Sequence, residues 1–182
     1  MAKILITDHI HPDGIKLLEQ LDGVEAVDAK FGLPREKLIQ EIREYDVLIV
    51  RSATKVTKEV IDAGDKLKIV ARAGVGLDNI DVNAADARGI KVLNAPEAPS
   101  VAVAELVLGM MLSWARRIPE AHVSMKMGKW EKSKFMGIEL RGKTLGIVGT
   151  GQIGRMVGYR AKAFGMSLLL YDVVQNMEFA NQ

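Results

Sequence analysis

The chain has 182 residues, 48% of them apolar, and its 25 basic and 23 acidic side chains leave a net charge of +2. That length and apolar content suffice for one large or two small domains with a real core, and the dispersed charges form no basic stripe or tail for nucleic acid. The absence of cysteine excludes a disulfide framework, a thiolate nucleophile and a zinc–thiolate cluster, and makes a reducing cytoplasm the simplest setting. No metal site is expected. The apolar run that follows Met1 meets Asp8 too soon for a signal-peptide core. The longest apolar stretch, 106–115, is half a bilayer span, so no membrane role is expected.

Apolar runs at 4–7, 24–27, 47–50, 69–73 and 91–93 alternate with helical patterns, which predicts parallel strands joined by crossover helices. Pro12 and Pro34 stand where a first helical turn tolerates proline, and Leu38, Ile39 and Ile42 share one helical face. Asp81 can cap a short helix that Gly89 ends. Residues 1–98 therefore predict a small doubly wound α/β domain with a parallel, flavodoxin-like sheet and no nucleotide-type glycine fingerprint at its first strand. The stretch 94–100, with two prolines and a plausible N-cap at Ser100, reads as an interdomain crossing and a hinge. Residues 101–117 predict a helix that is apolar on nearly every face except at Glu105, so it should be buried between domains or subunits, with Met110, Met111 and Trp114 as packing residues. A second helix follows Pro119. Then comes Lys129-Trp130-Glu131-Lys132-Ser133-Lys134-Phe135, which on composition alone is a solvated charged arm.

The stretch from Thr144 to Asp172 reads as strand, glycine turn, helix, strand, acid. Gly149, Gly151 and Gly154 have G-x-G-x-x-G spacing between an apolar strand and an amphipathic helix, and Asp172 lies 18 positions beyond Gly154. Each glycine has a physical reason: a tight turn at 149, close approach of a pyrophosphate at 151, and close packing of helix on strand at 154. The helix N-terminus, from about Gln152 and Ile153 onward, offers free N–H groups and partial positive charge to phosphate. A carboxylate at 172 accepts hydrogen bonds from a free ribose 2′-hydroxyl and repels a 2′-phosphate, so the pattern predicts NAD rather than NADP. The alternative for Asp172 is a solvated acid at a strand end. Residues 99–182 thus predict a hinge helix, an arm and the first βαβ of a Rossmann domain, about the opening third of a six-stranded sheet.

Several segments together resemble the D-2-hydroxyacid dehydrogenases, and within them the D-3-phosphoglycerate dehydrogenases. They are Val50-Arg-Ser-Ala-Thr-Lys-Val-Thr, Ala71-Arg-Ala-Gly-Val-Gly-Leu-Asp-Asn-Ile-Asp, Met125-Lys-Met-Gly-Lys-Trp-Glu-Lys-Ser-Lys-Phe-Met-Gly and Leu140-Arg-Gly-Lys-Thr-Leu-Gly-Ile-Val-Gly. The likeness runs from the first strand to Asp172, and the lysine–tryptophan arm is more specific than the glycine motif. The resemblance implies NAD-dependent oxidation of 3-phosphoglycerate to 3-phosphohydroxypyruvate, the entry to serine synthesis, in a cleft between two α/β domains of a homodimer or larger assembly formed through residues 101–140. By the same resemblance Val75 and Gly76 supply backbone donors to a substrate carboxylate, Val75 approaches the nicotinamide, and Lys132 reaches a partner subunit's substrate. Arg51 and Arg72 end strands, and a guanidinium suits a phosphate or carboxylate by its bidentate fork. The alternative for each arginine is an ordinary salt bridge.

This chain departs from the family at Pro99, where asparagine or serine is common. The family's catalytic histidine, its orienting carboxylate and a substrate arginine correspond to positions beyond Asp172, so no catalytic residue is expected within the chain, which alone is expected to be inactive. His9, His11 and His122 read as surface or capping residues. Two other readings stay open: another D-2-hydroxyacid dehydrogenase, such as a glyoxylate or hydroxypyruvate reductase, and a non-catalytic dimerisation partner.

Overall fold

The computed structural model describes residues 1–174 and 176–181. The chain divides into two compact units, Met1–Ala98 and Pro99–Gln182. In the first, five strands, β1 (Ala2–Ile6), β2 (Val24–Ala29), β3 (Val47–Val50), β4 (Ile69–Arg72) and β5 (Lys91–Asn94), form one sheet in the order β2-β1-β3-β4-β5. Every neighbouring pair is parallel. The helices α1 (Pro12–Glu19), α2 (Arg35–Glu41), α3 (Lys58–Ala63) and α4 (Val82–Ala87) are the crossovers that parallel pairing requires.

Alternation along the strands divides the core. Leu5, Leu48, Val50 and Val70 point to one face and pack with Leu38, Ile42, Val60, Ile61 and Ala85 from α2, the turn after it, α3 and α4. Ile4, Ile6 and Ile49 point to the other, against Ile15 and Leu18 of α1. Strands buried on both faces explain the nearly continuous apolar runs in the sequence. Pro12 opens α1 behind the N-cap His11, and the Asp81 carboxylate caps α4 by accepting from the Ala84 N–H at 3.0 Å. Pro34 stands one position before the first turn of α2, as its N-cap.

The second unit begins with α5 (Ser100–Ala115) and α6 (Ile118–Lys126), followed by a single 3-10 turn, Lys132–Phe135. A two-stranded parallel sheet of β6 (Thr144–Val148) and β7 (Ser167–Tyr171) is crossed over by α7 (Gln152–Ala163), and α8 (Met177–Ala180) comes last. The expected N-cap at Ser100 is corrected: Ser100 is already the first residue of α5, behind Pro99, because the turn 98–99 carries near-helical backbone into the helix. Ala104, Leu108 and partly buried Met111 of α5 pack with Ile147, Leu168, Leu170 and Val157. Within this chain Leu106, Met110 and Trp114 are exposed, Trp114 at 78%, so any packing of Met110 and Trp114 would have to come from outside these two units. The opposite sheet face shows Val148, Leu169 and Tyr171 to solvent. Phe179 of α8 is buried edge-on to Tyr159. No described helix is long and apolar enough to cross a membrane.

Leu48 lies fully buried in a central strand, so Leu48→Ala should lower stability by about 2–5 kcal/mol. Urea unfolding followed by circular dichroism measures this, and a change below about 1 kcal/mol would mean the first unit's core is not packed as described.

Candidate functional site

The residues singled out in the first unit lie at the C-terminal ends of its strands, the edge where ligands of open parallel sheets bind. Arg51 follows β3. Its backbone N–H donates to the Asp8 carboxylate at 2.6 Å, and its guanidinium donates to the His9 carbonyl at 3.3 Å, with no carboxylate partner among the described residues. It borders an open hollow of about 390 Å³ shared with Asp8, His9, Phe31 and Gly32, where the His9 ring lies on Phe31 at 4.1 Å. This hollow sits where the strand order reverses, between β1 and β3.

Arg72 ends β4 but is mostly buried, and its guanidinium donates to the Asp78 carboxylate at 2.7 Å, which holds the Asp78 carboxyl below its ordinary value. Arg72 thus makes a salt bridge within this unit. A side chain at position 76 would press on that guanidinium at 2.9 Å and on Asp78 at 3.0 Å, so glycine there lets the pair form. The 74–76 loop is held by Asn94, whose carboxamide donates to the Val75 carbonyl at 2.5 Å, and by the Ala95 N–H on the Gly74 carbonyl. These bonds leave the N–H groups of Val75 and Gly76 out, and both residues are exposed. A pair of neighbouring donors of this kind can receive one carboxylate.

In the second unit the glycine turn follows β6. Gly149 has φ +95°, a left-handed conformation that glycine adopts without penalty. A Cβ at Gly154 would collide with the Gly149 carbonyl, so helix and turn touch backbone to backbone. At Gly151, the N-cap of α7, φ is an ordinary −65° and a Cβ would meet nothing within 4 Å. Gln152 and Ile153 start the helix directly behind it, and Arg155 donates to the Gln152 side chain at 3.0 Å. Asp172 follows β7 and is engaged in the turn itself: one oxygen accepts from the Thr150 N–H at 2.5 Å and hydroxyl at 2.9 Å, the other from the Val174 N–H at 3.3 Å. The Thr150 N–H, then its hydroxyl, hold the Asp172 carboxyl below its ordinary value. Thr150, Asp172, Asn176 and Met177 line a hollow of about 280 Å³.

On the arm, Lys132 stands over the exposed Trp130 ring at 5.3 Å, and Glu131 is pinned by the Ser124 hydroxyl at 2.8 Å. Arg117, the one non-glycine residue with positive φ among those described, donates to the Lys134 carbonyl at 2.8 Å and so ties the arm to the start of α6. His11 accepts from the Asp13 N–H, and His122 is exposed on α6. No group of three or more potential metal-ligating side chains occurs among the described residues.

Three polar residues that sequence reasoning does not single out organise these turns: Asp8, Asn79 and Thr150. The available signal is weak, namely an acid directly after the first apolar run and polar residues at strand-end loops.

The family described as "D-isomer specific 2-hydroxyacid dehydrogenase, catalytic domain" matches residues 4–179. The chain belongs to this family. It is 55% identical over 172 residues to a D-3-phosphoglycerate dehydrogenase of Methanocaldococcus jannaschii, covering 94% of this chain and 32% of the relative. It is 50% identical over 178 residues to the human D-3-phosphoglycerate dehydrogenase, covering 98% of this chain and 33% of the relative. The chain thus spans about a third of the length of these curated relatives. Among solved structures it superposes on a protein of Thermus thermophilus with a TM-score of 0.87 at 32% identity, covering 96% of this chain and 57% of that one. An NAD⁺-bound 3-phosphoglycerate dehydrogenase of Entamoeba histolytica gives a TM-score of 0.77 at 35% identity, covering 96% and 55%. The family match passes Asp172, where the sequence motifs stop, and takes in Phe179, the buried anchor of α8.

Since the carboxyl of Asp172 is depressed when folded, its contribution to stability is complete above the unfolded value near 3.9 and is lost as pH falls through the folded value. Carbon-detected NMR titration should give a midpoint for Asp172 below the ordinary aspartate value near 3.9, and a midpoint at or above it would contradict the hydrogen bonding described.

Proposed function

We propose that this chain is the portion of a D-3-phosphoglycerate dehydrogenase that holds one end of the substrate and the adenosine–pyrophosphate side of NAD, in an enzyme that oxidises 3-phosphoglycerate to 3-phosphohydroxypyruvate at the entry to serine synthesis. The supporting observation is Gly151. Nothing in the fold requires glycine there, since the backbone is ordinary and the space above it is open; close approach of a pyrophosphate does require it. Gly149 and Gly154 are needed by the turn itself, and Gly151 by the ligand. The N–H groups that open α7 at Gln152 and Ile153 face the phosphates, and Asp172, fixed by Thr150, presents a carboxylate to the ribose hydroxyls and against a 2′-phosphate. When bound at these residues, NAD would supply the acceptor for a hydride from the substrate's C–H bond.

In the first unit Arg51 pairs with an anionic end of the substrate, and the Val75 and Gly76 N–H groups receive its carboxylate, with Val75 beside the nicotinamide. Arg72 acts in this reading through its pair with Asp78, shaping the 74–76 loop and adding positive charge beneath it. The hydroxyl proton must go to a base within hydrogen-bond reach. His9, His11 and His122 sit respectively on Phe31, at the cap of α1 and on the surface of α6, and none is assigned that role. The intact enzyme is cytoplasmic and pairs with a second copy through residues 101–140, a reading supported by the exposed Leu106, Met110, Trp114 and Trp130. Lys132 then extends to the partner's substrate.

Two outcomes test this reading. Gly151→Ala should leave the thermal midpoint within about 2–3 °C, because its Cβ meets nothing, yet weaken NAD binding at least about tenfold, whereas Gly154→Ala should unfold the turn. Equal NAD affinity in wild type and Gly151→Ala would refute the cofactor site. In a coupled absorbance assay of 3-phosphoglycerate with NAD, the 182-residue chain should show no turnover while a longer parent is active; turnover by a chain of confirmed mass would mean it supplies its own base.

A further inference from the structure

Arg51 is held by two buried side chains that no functional assignment yet covers. The 51–54 turn after β3 exposes backbone donors and acceptors at both ends, and the two kinds are met by different chemistry. Asp8, 6% exposed, takes the donors: one oxygen accepts from the Arg51 N–H at 2.6 Å and the Thr54 N–H at 3.1 Å, and the other accepts from the Thr54 hydroxyl at 2.7 Å. Asn79, 5% exposed, serves the acceptors, its carboxamide nitrogen donating to the Arg51 carbonyl at 2.8 Å and the Thr54 carbonyl at 2.7 Å. A carboxylate accepts at both of its oxygens, and a carboxamide nitrogen carries two hydrogens for two carbonyls. Asn79 closes the loop that carries Val75 and Gly76, and its own backbone carbonyl accepts from the Val56 N–H at 2.8 Å, just beyond the turn. One residue therefore belongs to both loops. Burial raises the Asp8 carboxyl, but the bonds from the Thr54 hydroxyl and N–H and from the Arg51 N–H outweigh it, so the group stays ionised below the usual aspartate range.

We propose that Asp8 and Asn79 are positioning residues that fix the Arg51 turn and couple it to the 74–79 loop, so that the cation and the Val75 and Gly76 N–H groups meet an anionic substrate as one pre-set unit. The gain is preorganisation: a turn already ordered by buried hydrogen bonds loses little freedom when the anion arrives. The assignment of Arg51, Val75 and Gly76 to the substrate rests on the proposed function; the coupling of the two loops does not.

Asp8→Asn tests the coupling, because it keeps the shape and removes the charge and one acceptor. In the amide NMR spectrum of the ligand-free 182-residue chain, the account predicts shifts at Arg51 and Thr54 and also at Val75 and Gly76. Titration with 3-phosphoglycerate should show about tenfold weaker binding than wild type with Arg51 still present. Changes confined to the 51–54 turn, or unchanged affinity, would overturn the proposal. Should Asp8→Asn fail to fold, Thr54→Ala removes only the hydroxyl contacts and should give the same pattern at lower amplitude; its absence counts equally against the coupling. Arg51→Gln, run alongside, separates the two claims: unchanged affinity there overturns the substrate role of Arg51, while the Val75 and Gly76 shifts decide the coupling.

Discussion

A carboxylate at the end of one parallel strand grips the turn that follows its neighbour, and this contact recurs in both units. Asp8 after β1 holds the turn after β3, and Asp172 after β7 holds the turn after β6. The need arises from topology. Parallel strands are joined by crossovers, so every strand delivers its chain to the same edge, where irregular backbone must find partners for its N–H and C=O groups. A short acid placed there meets several donors at once and remains charged doing so.

The device also explains where the functional groups lie. Turns left to solvent would hold a guanidinium or a row of N–H groups only on average, whereas turns held by hydrogen bonds to acids and amides hold them in one place. In the first unit the fixed elements are Arg51 and the 74–76 loop. In the second they are the glycine turn and the start of α7, where Gly149 and Gly154 set the backbone and Gly151 leaves the approach open. The same Asp172 that would meet a ribose is thereby restrained in advance, which a carboxylate free in solvent would not be.

How much of this is legible in the sequence depends on the range of the interaction. The strands are legible because burial on both faces makes 47–50 and 69–71 continuously apolar, and the βαβ of the second unit because its glycines, helix and acid are local. The α4 cap was legible for the same reason: Asp81 reaches only to Ala84. Ser100 misled because the rule for caps reads residue type, while the helix starts where the backbone of Pro99 already turns helical. Met110 and Trp114 show the limit of composition: an apolar helix states that a surface must be covered, not by which chain. Asp8 and Asn79 were hidden because their partners lie 43 and 28 residues away, and a lone acid after a strand reads equally well as a solvated end.

The most direct measurement of the account is an amide NMR titration of the 182-residue chain with NAD and, separately, with 3-phosphoglycerate. The account predicts that NAD moves the signals of residues 149–154 and Asp172 while 3-phosphoglycerate moves those of 51–54, Val75 and Gly76. Signals that stay still at both turns, or that respond only away from the strand ends, would contradict it.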